Sequence, residues 1–145
     1  MTDRLIRART LPVLGAIAHQ VLALYGVELP STVRIGQGFR LVHHGFGTVI
    51  HPAVTIGDRV TIFHQVTVGR ADAVVVSGAE TKFEHIEIGD DVVLYPGAKV
   101  LGRAGVTRIG AGTIVAANAV VTGSTGEWEI WAGVPARKIG ERARQ

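Results

Sequence analysis

Cysteine is absent from the 145 residues of this chain, which removes disulfides, thiolate nucleophiles and zinc–thiolate sites from consideration. Aromatic residues are scarce as well, with two Trp, two Tyr and four Phe, so the core must be assembled from aliphatic side chains. No apolar run approaches the ~20 residues that span a bilayer. The basic start and the apolar stretch from Leu11 to Tyr25 invite comparison with a signal peptide, but His19 and Gln20 interrupt that stretch and a helix pattern explains it better. Lys and Arg outnumber Asp and Glu by 15 to 12, yet they form no dense basic face with interleaved aromatics of the kind that binds nucleic acid. The expectation is a cytoplasmic protein with neither membrane nor nucleic acid as partner, and a small anionic cofactor suits the basic ends better.

What the chain does hold is nineteen Gly among many Val, Ile and Ala. From Ile50, every sixth residue is apolar: Ile50, Ile56, Ile62 and Val68, with Gly57 and Gly69 directly after two of them. A strand alternates every second residue and an amphipathic helix repeats at three and four, so neither yields a period of six. Such a beat marks a repeat architecture, in which each unit buries its apolar residue only by stacking on its neighbours.

The rest of the chain is read against that beat. Between Thr10 and Tyr25 the residues Leu14, Ile17, Val21 and Leu24 are spaced three or four apart, predicting an amphipathic helix with that face buried, Thr10 as its cap, Pro12 in its first turn and Gly26 at its end. Its expected job is to cover the open end of the stack. The repeats begin at Val33-Arg34-Ile35-Gly36 and reach Leu41, but nine residues instead of six separate Leu41 from Ile50. The insertion holds His43, His44, Gly45, Phe46 and Gly47, and insertions in repeat arrays map to loops that carry function. Periodicity lapses again over Arg70 to His85, an excursion loop, and returns at Ile88-Gly89, Leu94 and Val100. It slips by three near Arg103-Ala104-Gly105 and resumes at Ile109-Gly110, Val115 and Val121. The expected organisation is a single domain: a helical segment over 1–26, the repeat stack over 27–122 and a loop with a basic tail over 123–145, with Ser124 to Trp131 read as a loop or short hairpin.

Units of the form Ile/Val-Gly-x-x-x-x resemble the hexapeptide-repeat acyltransferases. More narrowly, LVHHGFGTVI, VTIFHQVTVG, HIEIGDDVVLYPGAKVLG and AGVPARKIG are similar, in that order, to segments of the serine acetyltransferase branch. The resemblance implies an all-β fold, a left-handed parallel β-helix, here with an N-terminal amphipathic α-helix. It also implies acetyl-CoA as acyl donor, a small-molecule acceptor and a homotrimer. Two histidines serve acetyl transfer in that branch. The second maps to His85. The first maps to His43 counting forward from Leu41 and to His44 counting back from Ile50, because the loop is one residue longer here. The carboxylate partner of the first histidine maps to Glu28.

Two positions depart from the branch. The acid that precedes the first histidine is His43, or Val42 in the other register. The basic residue that precedes the second, which holds the carboxylate of serine, is Glu84, and an acid there repels an amino-acid carboxylate at close range. For the pantetheine arm of acetyl-CoA the matching small residues are Gly69, Gly97, Ala98, Ala116 and Ala117, with Arg137 and Lys138 for the phosphates.

The chemistry suits these residue types. Transfer of an acetyl group from a thioester to a hydroxyl requires a base for the hydroxyl proton, and a neutral imidazole serves near neutral pH. A carboxylate on its other nitrogen fixes the tautomer and stabilises the imidazolium. The oxyanion needs donors from backbone N–H groups or the second histidine. No covalent enzyme intermediate and no metal are expected. A γ-type carbonic anhydrase would need a histidine pair with four residues between, which the sequence lacks. Two alternatives remain open: O- or N-acyl transfer to a sugar or other small molecule, and a non-catalytic assembly role for the same fold.

Overall fold

In a computed structural model of the chain, residues 6, 8–71 and 82–144 are described. The six-residue beat becomes short strands on three faces of a prism. Face I runs β1 (Arg34–Ile35), β4 (Val54–Ile56), β7 (Phe83–Ile88) and β10 (Gly105–Ile109). Face II runs β2 (Arg40–Leu41), β5 (Thr61–Ile62), β8 (Val93–Leu94), β11 (Ile114–Val115), β13 (Glu129–Gly133) and β14 (Ala136–Glu141). Face III runs β3 (Val49–Ile50), β6 (Thr67–Arg70), β9 (Lys99–Gly102) and β12 (Val120–Val121). Every pairing is parallel except that of β13 with β14. The coil is a left-handed parallel β-helix.

Stacking in register explains the sequence. Ile56 pairs with Ile88, Ile62 with Leu94 and Val68 with Val100, and all six are at most 4% exposed in one continuous core. Glycine follows the apolar residue on face I because the next coil leaves no room. A Cβ on Gly36 would lie 2.3 Å from Asp58 Oδ1, and one on Gly57 2.4 Å from Asp90 Oδ1. Those carboxylates are fixed in turn, since Asp58 accepts the Gln37 N–H and Asp90 the Asp58 N–H, each at 2.8 Å.

The helix α1 spans Pro12–Leu24, with Leu11 in place of the expected Thr10 at its N-cap and no side-chain cap hydrogen bond among the described residues. The face expected to be buried faces outward: Leu14 is 52% exposed, Ile17 56% and Leu24 83%, with Val21 half-buried. Ala18 and Leu22, at 1% exposure each, make the inner face. Leu22 joins the core cluster together with Ile6 and Val27, so α1 covers the end of the stack through the opposite side. The reason lies in composition. Residues 11–24 contain no Asp, Glu, Lys or Arg and only His19 and Gln20 as polar side chains, and a helix with apolar residues on most sides does not announce which one packs.

The C-terminal stretch is also more ordered than a basic tail. β13 extends face II by pairing Ile130 with Ile114 and Trp131 with Val115, and β14 folds back antiparallel on it. The hairpin therefore covers 129–141, beyond the 124–131 expected. Most of the predicted excursion loop lies outside the described residues. Arg70 ends one strand and Phe83 begins the next, so Arg70 and Phe83–His85 belong to the coil. Among the described residues no helix is long and apolar enough to cross a membrane.

Candidate active site

The insertion after β2 forms a 3-10 turn, Val42–Gly45, at the corner joining face II to face III. His43 and His44 both take left-handed backbone, at φ 54° and 58°. This conformation is uncommon outside glycine, and two consecutive residues held in it mark a constrained site. Both side chains are exposed and packed differently. His43 meets His64 edge-on at 5.3 Å and Phe63 at 6.2 Å, whereas His44 lies against Tyr25 at 5.5 Å.

The same corner rises through Phe63 and His64, Tyr95, and then Ala116 and Ala117. Phe63 and Tyr95 stack at 5.1 Å with their planes 9° apart. His64 Nδ1 is buried and has no hydrogen-bond partner among the described residues. This aromatic facing of the histidine corner had no signal in the six-residue period, which reports inward positions only.

Glu28 stands one coil below. It forms an isolated bridge with Val49, its N–H donating to Thr48 O at 2.9 Å and its carbonyl accepting the Ile50 N–H at 2.8 Å. Its exposed carboxylate makes no ion pair or hydrogen bond among the described residues.

His85 occupies a different edge. It sits in β7 on face I, near the corner where face III turns into face I, half-buried, with Nε2 2.9 Å from Thr55 Oγ1. Face III thus separates His85 from the His43–His44 corner within one chain. Residue 84 has a special place too. Phe83 pairs with Gly105 and His85 with Val106, leaving Glu84 as the extra, exposed residue of a β-bulge, a device that re-aims neighbouring side chains.

The small residues divide by accessibility. Gly97, at φ 71°, is buried, and a Cβ there would lie 2.1 Å from Asn118 Oδ1; Ala98 is fully buried. Ala116 is half-buried and Ala117 exposed. Gly69 borders open space, with nothing within 4 Å of a Cβ built on it. Arg137 pairs with Ala132 in the terminal hairpin, which continues the histidine corner upward. It is exposed and makes no ion pair among the described residues. Lys138 is engaged by Glu129 at 3.1 Å and Glu141 at 3.0 Å, and the hydrogen bonds from these carboxylates push its pKa up.

The chain is similar to known proteins in sequence and in fold. The chain is 38% identical over 125 residues to serine acetyltransferase 4 of Arabidopsis thaliana, and 34% identical over 134 residues to the serine acetyltransferase of Staphylococcus xylosus. Those alignments cover 86% and 92% of this chain. The chain is a hexapeptide-repeat protein related to the serine acetyltransferases. It spans only 32% and 57% of those two relatives' own lengths. No family model matches it. Among solved structures, the serine acetyltransferase of Vibrio cholerae superposes with a TM-score of 0.77 at 28% identity, over 99% of this chain and 54% of that one. The Brucella abortus enzyme in complex with coenzyme A gives 0.76 at 28% identity, over 99% and 56%.

Proposed function

We propose that this protein is a cytoplasmic acetyl-CoA-dependent O-acetyltransferase that acts as a homotrimer on a small hydroxyl compound. The observation that carries the reading is the serine acetyltransferase relationship over nearly the whole described coil, with histidines at both matching segments. Their separation on two edges of one chain supports a shared site, in which the His43–His44 corner of one copy meets His85 of the next. Three-fold packing of prisms, edge to edge, is the closed arrangement that brings such edges together.

In this reading His44 or His43 accepts the acceptor's hydroxyl proton as the oxygen attacks the thioester carbonyl. The imidazolium then returns the proton to the departing sulfur, so no proton is left over. Glu28, bridged to Val49 beside that corner, orients the base. His85 donates to the developing oxyanion. Acetyl-CoA supplies the activated acyl group. Exposed Ala117, the open flank of Gly69 and the exposed guanidinium of Arg137 fit its arm and phosphates, and Lys138, already held by two carboxylates, contributes less.

Thiol release from acetyl-CoA with a panel of hydroxyl acceptors tests the activity. His85→Ala and the double variant His43→Ala/His44→Ala are each expected to be nearly inactive. Mixing them by co-expression is expected to restore about one quarter of wild-type activity, the share of seams that combine an intact corner with an intact His85. No recovery from folded mixed trimers refutes the shared site.

A further inference from the structure

His85 faces outward because β7 carries its bulge. The strand buries Phe83, Ile86 and Ile88 and leaves His85 and Glu87 on the outer side. Phe83 and Ile86 are an odd number of residues apart, a step that plain alternation of sides cannot join, and the extra residue Glu84 absorbs it. On the preceding coil, β4 turns Val54 and Ile56 inward and Thr55 outward. The ladder sets Val54 against Ile86 and Thr55 against Glu87. His85 therefore lies diagonal to Thr55, and the hydroxyl Oγ1 reaches its Nε2 at 2.9 Å.

Which of these two atoms donates follows from what else surrounds the hydroxyl. Thr55 is flanked along the sheet by Arg34 on one side and Glu87 on the other. An arginine offers donors only, so Arg34 cannot take the hydroxyl hydrogen. The Glu87 carboxylate is taken by Arg108, whose Nε donates to it at 2.8 Å. Among the described residues the Thr55 hydroxyl makes no other hydrogen bond, and His85 Nε2 is the acceptor that remains. A ring nitrogen that accepts carries no hydrogen, so the neutral imidazole holds its hydrogen on Nδ1. Nδ1 itself has no partner among the described residues. Thr55 is β-branched, with few rotamers open to it in a strand, which fixes the direction of the bond.

We propose that Thr55 is the positioning residue of His85: its hydroxyl donates to Nε2, holds the neutral ring as the Nδ1–H tautomer and so makes Nδ1–H the group presented to the oxyanion. The hydrogen stays on Nδ1 throughout, and no covalent bond at His85 forms or breaks. The oxyanion role rests on the transferase reading; the tautomer itself requires no turnover.

Imidazole nitrogen NMR of the full chain, recorded above the ordinary imidazole pKa and with His85 assigned by His85→Gln, reads the tautomer directly. The wild-type ring is expected to carry its hydrogen on Nδ1. Thr55→Val keeps the shape of the side chain and removes the hydroxyl. It is expected to move the tautomer ratio about 2- to 10-fold towards Nε2–H, the worth of one hydrogen bond, and to lower kcat for acetyl transfer by a similar factor with KM for acetyl-CoA unchanged. Thr55→Ser restores both. A hydrogen on Nε2 in the wild-type ring, a wild-type ratio in Thr55→Val, or a shifted ratio that leaves kcat untouched overturns the proposal. The wild-type spectrum decides the tautomer by itself should Thr55→Val fail to fold. A tautomer that responds as expected in a protein releasing no thiol from acetyl-CoA leaves the Thr55 bond standing and defeats the transferase reading instead.

Discussion

Two adjacent histidines in left-handed backbone are an unusual expense for a six-residue repeat. At the neighbouring coils the same corner spends a single left-handed residue, Gln65, Gly97 or Asn118. The three residues added at this corner, where Gly45 and Gly47 are left-handed as well, place two histidines within reach of the register, and the structure shows two side chains with separate neighbours. If His44 is the base, His44→Ala reduces kcat about 10²- to 10⁴-fold while His43→Ala has a far smaller effect. Steady-state kinetics on both variants decides between them. Glu129 offers a residue-scale test of stability. The Trp131 Nε1–H donates to its carboxylate at 2.8 Å, and Lys138 and the Gly126 N–H add to this, which holds its pKa below the ordinary 4.5. A depressed carboxylate stabilises the fold above its unfolded pKa and loses that contribution as pH falls through the folded value. Melting temperature is therefore expected to fall on acidification below about pH 4.5, and the fall is shallower in Glu129→Gln.

Elements were legible wherever burial follows a period. The strands of all three faces sit where Ile50, Ile56, Ile62 and Val68 and their successors put them, because at these positions an aliphatic side chain lies under one on the next coil. The helix shows the opposite case. Its spacing named Leu14, Ile17, Val21 and Leu24, but with apolar residues on most sides the packed face was chosen by the fit of Ala18 and Leu22 against the stack. Leu22→Ala is expected to destabilise the protein by about 2–5 kcal/mol, and Leu24→Ala by no more than about 0.5 kcal/mol. Chemical denaturation of the two variants checks which face is inside, and a larger loss at Leu24 would reverse the assignment. The terminal hairpin lies further along the chain than the loop or short hairpin expected over 124–131, because Glu129–Gly133 and Ala136–Glu141 close an edge, and edge strands need no internal repeat.

At the scale of the whole molecule, the prism geometry separates His85 from the His43–His44 corner by a full face, so the shared site proposed above requires more than one copy of the chain. Sedimentation is expected to give three times the chain mass, and a monomer that is fully active would exclude a site shared between copies. The sequence by itself determined the coil, its interruptions, and the residue types available at them, because a short apolar period can be satisfied only by stacking. Only the tertiary structure decided which edges carry which histidines, which side of α1 is covered, and that Thr55 reaches His85. Those relations join residues from different coils, and a period records the distance along the chain, never which corner of the prism a side chain shares with another.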